Sequence, residues 1–159
     1  MNADDERKTI ANPHRVLVTG ASRGIGRAVA IALAARGDDV VCAGRDVGAL
    51  KEVARHHKHR MTAVVGDLAL EGPRDALVSS AVSELGGLDV LVQCAGIVHY
   101  EATGTISPDS LSAQVAVNLT APMMIAQAAA PHLVRTRGVI VNVASTLAHR
   151  SAPGTAVYG

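Results

Sequence analysis

Val16-Leu17-Val18-Thr19-Gly20-Ala21-Ser22-Arg23-Gly24-Ile25-Gly26, followed by the apolar run Ala28 to Leu33, is the stretch whose reading decides the fold. A short β-branched run leads into glycines and then into helix-forming residues, so the segment reads as strand, tight loop, helix. Gly20 and Gly24 allow a tight turn and close approach of a ligand to the backbone. Gly26 lets the new helix pack near the strand. The first turn of such a helix leaves N–H groups unpaired, and these offer a cradle to a phosphate. Ser22 and Ile25 fall inside that cradle. No Gly-Lys-Ser/Thr ending follows, so the lysine and the magnesium-binding hydroxyl of a phosphoryl-transfer loop are missing.

Working outward, further β-branched runs occur at Val40 to Ala43, Thr62 to Val65, Val90 to Val92 and Val139 to Val143, making five strands that read as buried. Helical patterns lie between them, at Gly24 to Arg36, Asp46 to His57, Pro73 to Leu85 and Pro108 to about Arg135. Strand and helix in alternation predict an α/β protein: a doubly wound parallel sheet of the Rossmann type, in three α/β/α layers. Its ligand site is expected in the loops at the carboxyl ends of the strands, where the strand order reverses. Residues 1–14 are polar and read as a flexible leader, and residues 15–159 as one nucleotide-binding domain.

Composition narrows the function further. Lys and Arg total 15 against 14 acidic residues, a net charge of +1, which gives no footprint for nucleic acid. With no Phe or Trp and two Tyr, base stacking is not available as a binding mode either. No apolar stretch reaches the roughly 18 residues of a membrane span. Cys42 and Cys94 lie in apolar runs without metal-ligand spacing, which predicts no metal site and suits small buried thiols in a reducing, cytoplasmic setting. The basic run His56-His57-Lys58-His59-Arg60 reads as the solvated end of a helix, where positive charge complements the dipole.

The spacing Gly20-x3-Gly24-x-Gly26 resembles the short-chain dehydrogenase/reductase family, including its 3-oxoacyl-acyl-carrier-protein reductase branch, and the resemblance continues along the chain. It implies a nicotinamide cofactor, whose type depends on the end of the second strand, Ala43-Gly44-Arg45-Asp46. Asp46 facing the ribose would favour NAD, whereas Arg45 would pair with the 2′-phosphate of NADP. NADP is the expectation: in similar family members the NAD-selecting acid aligns with Gly44, Asp46 is placed to cap the next helix, and Arg23 adds a second positive charge. The resemblance also implies an adenine contact at Asp67-Leu68, although an aspartate there equally suits a turn or a helix cap. Gln93-Cys94-Ala95-Gly96 resembles the family's Asn-Asn-Ala-Gly with both asparagines replaced. Ala95 and Gly96 still admit close approach.

By the same resemblance Asn118, Ser145 and Tyr158 match the reacting set, the tyrosine following thirteen residues after the serine. The tyrosine would protonate a substrate carbonyl, the serine would hydrogen-bond the same oxygen, and the asparagine would hold a water. A phenol is a weak acid, so a fixed cation is required beside it. The family supplies a lysine four residues after the tyrosine, but the sequence ends at Gly159. The expectation is therefore a partial chain, truncated after its fifth strand and itself inactive, with that strand exposing an unpaired edge. The full-length form is expected to act on a small-molecule carbonyl or alcohol as a homo-oligomer. The alternative is a dinucleotide-binding or regulatory module without chemistry.

Overall fold

The computed structural model describes residues 12–159. Its elements follow in strict alternation: β1 (Arg15–Thr19), α1 (Gly24–Arg36), β2 (Asp39–Gly44), α2 (Val47–Ala54), β3 (Met61–Val65), α3 (Glu71–Leu85) and β4 (Val90–Gln93). Then come α4 (Pro108–Val115), α5 (Ala121–Thr136) and β5 (Val139–Asn142). The five strands form one parallel sheet in the order β3-β2-β1-β4-β5. The chain builds outward from β1 to β3, then crosses to the other side at β4, so the order reverses between β1 and β4. That is the doubly wound arrangement, and it opens a crevice at the carboxyl ends of those two strands.

The period-2 alternation of the strands divides the core into two layers. Val16, Val18, Val40 and Cys42 pack with Ala30, Ala34, Leu50 and Val53. The intervening Leu17, Val41 and Ala43 point the other way, into a cluster with Leu77, Ala81, Ile125 and Leu133. Helices α1 and α2 thus cover one face, and α3 and α5 the other. Small residues on α1, such as Ala30 and Ala34, bring that helix close to the sheet, which suits a core without Phe or Trp.

Several boundaries differ from the sequence reading. The fifth strand is exposed at all four positions, not buried, because it lies at the sheet edge with β4 as its one strand partner among the described residues. The opposite edge, β3, is also only partly buried. The expected helix at residues 46–57 is α2 capped by Asp46, and it ends in a 3₁₀ turn at Arg55–His57. Helix α3 starts two residues before Pro73. The expected long helix from Pro108 is two helices, α4 and α5, joined by a π turn at Ala116–Thr120.

The first eleven residues of the expected leader lie outside the described residues. At its end His14 is joined to the domain, its backbone N–H donating to Asp38 Oδ1 at 3.0 Å. Arg15 and Asp89 fasten the starts of β1 and β4, with Nε to Oδ2 at 2.9 Å and Nη2 to Oδ1 at 2.8 Å. This bidentate pair, together with the Arg15 N–H, holds the Asp89 carboxyl below the usual carboxylate range. Among the described residues no helix is long and apolar enough to cross a membrane.

Candidate active site

A cavity of about 530 Å³ opens at the carboxyl ends of the strands. The loop after β1 forms one wall. Gly20 has φ +66° and Gly24 φ +55°, conformations that side-chain-bearing residues rarely adopt. A Cβ on Gly20 would lie 2.7 Å from the Ala95 backbone, so only glycine lets the loops after β1 and β4 meet. A Cβ on Gly26 would collide with the Gly20 carbonyl, so its small size serves the packing of α1 on its own loop. At Gly24 a Cβ would meet open space. No side chain caps the amino end of α1, and its first N–H groups remain available to an anion.

All the residues expected to touch a cofactor line this one cavity: Gly20, Ser22, Arg23, Gly24, Ile25 and Gly26 from the first loop, Arg45 after β2, Asp67 and Leu68 after β3, and Cys94, Ala95 and Gly96 after β4. The lining also includes Asp46, weighed above as the ribose ligand of an NAD site, and Gly44, Gly66, Ile97 and Val117, which were not expected there. Ile97 and Val117 reach it through tertiary packing, a signal absent from local motifs.

Adjacent charges at the end of β2 have separate tasks. Asp46 Oδ1 accepts the Ala49 N–H at 2.9 Å and caps α2. Arg45 and Arg23 are exposed at the cavity wall and make no ion pair among the described residues. Asp67 Oδ1 accepts the Ala69 N–H at 3.0 Å, the turn role, while its residue still borders the cavity. The basic run lies in and after the 3₁₀ turn, and Arg60 within it pairs with Asp39 at 3.1 Å.

The replacements in Gln93-Cys94-Ala95-Gly96 leave the strand end well tied. Gln93 Nε2 donates to the Pro122 carbonyl at 3.1 Å and to Asn142 Oδ1 at 3.0 Å, joining β4 to α5 and β5. Ala95 N–H donates to Thr19 Oγ1 at 3.3 Å. Cys94 is half-buried, packing against the core while bordering the cavity, in contrast to the fully buried thiol expected, whereas Cys42 is fully buried. Burial pushes both thiols up, Cys42 to about 12, so neither is poised as a nucleophile near neutral pH.

The three expected reacting residues are not in the cavity lining. Asn118 sits in the π turn and grips the loop after β4, its Oδ1 accepting the Ile97 N–H at 2.9 Å and its Nδ2 donating to the Ile97 carbonyl at 2.7 Å. Ser145 follows β5 by three residues, and its Oγ accepts the Leu147 N–H at 3.2 Å, which leaves its hydroxyl proton free to donate. Tyr158 is half-buried in a turn in which its N–H donates to the Thr155 carbonyl at 3.0 Å.

Residues 14–159 match the family model described as short chain dehydrogenase. The chain is 35% identical over 150 residues to 2-(R)-hydroxypropyl-CoM dehydrogenase of Xanthobacter autotrophicus, covering 89% of this chain and 60% of that protein. It is 34% identical to L-xylo-3-hexulose reductase of Hypocrea jecorina, with 89% and 55% covered. A short chain dehydrogenase from Burkholderia cenocepacia J2315, solved in complex with NADP, superposes with a TM-score of 0.86 at 35% identity, over 91% of this chain and 61% of that one. A 3-oxoacyl (acyl-carrier-protein) reductase from Agrobacterium tumefaciens C58 with NADP bound gives 0.83 at 30% identity, over 90% and 57%. The chain thus spans about three-fifths of the length of these relatives. A glycine loop seated at the reversal point of the sheet, a family model running to the last residue and close structural agreement agree: this chain belongs to the short-chain dehydrogenase family.

Proposed function

We propose that the cavity binds NADP(H) in preference to NAD(H), and that the protein is an oxidoreductase interconverting a small-molecule carbonyl and its alcohol. The observation that carries the cofactor reading is the division of labour after β2: the Asp46 carboxylate is committed to capping α2, while Arg45 and Arg23 line the same cavity and make no ion pair among the described residues. A guanidinium fork matches a 2′-phosphate, and a capping carboxylate is poorly disposed to receive ribose hydroxyls. The donor set also fits the rest of a dinucleotide. The glycine loop and the open amino end of α1 suit the pyrophosphate, and Asp67 and Leu68 suit the adenine end. The NADP-bound relatives support the same reading.

When bound, NADP(H) supplies or accepts the hydride. The chain's own residues handle the proton and the substrate. Tyr158 is the donor to the substrate oxygen, and Ser145 hydrogen-bonds that oxygen with its free hydroxyl proton. Asn118 holds Ile97 and hence the loop that borders the cavity. The phenol needs a cation beside it. Turnover is therefore proposed for a protein in which a lysine stands beside Tyr158, and cofactor binding for the cavity itself.

Cys94 provides a reporter inside the cavity. NADPH is expected to slow alkylation of Cys94, followed by intact mass at mildly alkaline pH, with NADH protecting less at equal concentration and buried Cys42 serving as the unreactive thiol. Equal alkylation rates with and without NADPH would place the cofactor elsewhere.

A further inference from the structure

The segment carrying Tyr158 is held by a set of contacts that no part of the proposed chemistry uses. Thr155 is almost fully buried, at 1% exposure, in a stretch where most neighbours are open to solvent. Its Oγ1 accepts the Ala152 N–H at 3.1 Å and donates to the Ala152 carbonyl at 2.7 Å. Its backbone N–H closes the same turn by donating to the Ala152 carbonyl at 3.1 Å. The Thr155 carbonyl then accepts two N–H groups, Tyr158 at 3.0 Å and Gly159 at 2.8 Å, and so starts the turn that presents the phenol. One residue therefore closes the turn before Tyr158 and opens the turn that contains it.

This double turn is fastened to the loop between β4 and α4. Glu101 N–H donates to the Gly154 carbonyl at 2.9 Å, forming an isolated parallel bridge between Glu101 and Thr155. Gly154 has φ +80°, and a Cβ there would sit 3.5 Å from the Glu101 nitrogen, so the two segments are in close contact. The Glu101 loop is itself anchored on α4. Ser107 N–H donates to Glu101 Oε1 at 3.3 Å, and Ser107 Oγ caps α4 by accepting the Ser110 N–H at 3.2 Å. His99 N–H donates to Oε1 of Gln114, which is 1% exposed, at 3.2 Å.

The geometry points to Thr155 as the positioning residue of Tyr158, its hydroxyl fixing the turn that presents the phenol and the Glu101 bridge tying that turn to α4. A serine would keep the hydroxyl and lose a methyl group. A valine would keep the shape and leave the Ala152 N–H and carbonyl without their side-chain partner. The inference rests on the reading that Tyr158 is the reacting phenol, but its test does not.

In a Tyr100→Phe background Tyr158 is the sole tyrosine, and with no tryptophan in the chain its fluorescence is isolated. Acrylamide quenching and anisotropy then report the freedom of that one side chain, with thermal melting as the measure of global folding. Thr155→Val is expected to raise the population of freely quenched Tyr158 at least about fivefold, since that is the factor for one buried hydrogen bond and Oγ1 makes two. Thr155→Ser should restore the parent value, with all three proteins melting cooperatively. Unchanged quenching in the folded valine variant, or a serine variant that behaves like valine, would overturn the positioning role. If the valine variant fails to fold, the serine variant decides on its own: parent-like quenching supports the role of the hydroxyl, and valine-scale mobility in a folded protein refutes it. Failure of Tyr158 as the reacting phenol would show separately, as turnover retained by Tyr158→Phe in a chain that supplies the lysine.

Discussion

Arg45 and Asp46 are neighbours in sequence with opposite charges, and in the proposed reading the choice of cofactor depends on which one faces the ribose. The Asp46–Ala49 hydrogen bond shows that the carboxylate has a local task, so its removal is a test of stability before it is a test of binding. Asp46→Ala is expected to destabilise the protein by about 1 kcal/mol, the usual value for losing an amino-terminal cap, in urea unfolding. Asp46→Ser should recover most of that, and both variants should still prefer NADPH. A switch of preference toward either cofactor on losing the carboxylate would make Asp46 a ribose ligand. At this scale the glycine loop was legible because the positive φ of Gly20 and Gly24 and the contact of Gly26 with Gly20 are local backbone requirements, while the approach of Ala95 to Gly20 is tertiary. Cys94 meets the expectation in part: its apolar run puts the thiol against the core, while its place at the end of β4 also brings it to the cavity border.

At the scale of elements, the strands were readable from β-branched runs, and their ends shifted by only a residue or so. The unpaired edge of β5 was expected, but the exposure of all its residues was not legible, because its sequence is as apolar as that of β4. Burial is decided by what packs on a strand, not by what it contains. The π turn between α4 and α5 was likewise invisible, since residues 116–120 have an ordinary helical composition. Its widening coincides with the Asn118 side chain reaching out to both backbone groups of Ile97, consistent with the common placement of such turns at functional sites. Asn118→Leu should leave the Ile97 N–H and carbonyl unpartnered, lowering stability by about 1–2 kcal/mol in urea unfolding, and should weaken NADPH binding because Ile97 lines the cavity. A variant of unchanged stability would show that the Asn118–Ile97 pair does not hold this loop.

For the molecule as a whole, stability should decline at both extremes of pH. The Cys42 thiol titrates at about 12 in the folded protein against an ordinary 9.0, because burial disfavours the thiolate. The folded state therefore keeps a proton that the unfolded chain releases, and this contribution is complete below the ordinary value and is lost as pH rises toward 12. The slope is about 1.4 kcal/mol per pH unit between the two. Asp89 acts in the opposite sense. Its folded pKa is lowered, chiefly by the side-chain bonds from Arg15, so its contribution is present above the ordinary 3.8 and is lost as pH falls through the folded value. Cys42→Ala should flatten the alkaline limb of thermal melting against pH, and Asp89→Asn the acid limb. A limb unchanged in its variant would reject the corresponding assignment.

The central claim is that the crevice where the strand order reverses is an NADP(H) site selected by Arg45. It is tested most directly by titrating the protein with NADPH and NADH, alongside Arg45→Ala. Binding that favours NADPH, with the variant losing most of that preference while its NADH affinity changes little, is the predicted result. Equal affinity of the native protein for both cofactors, or a preference that survives in Arg45→Ala, would contradict it.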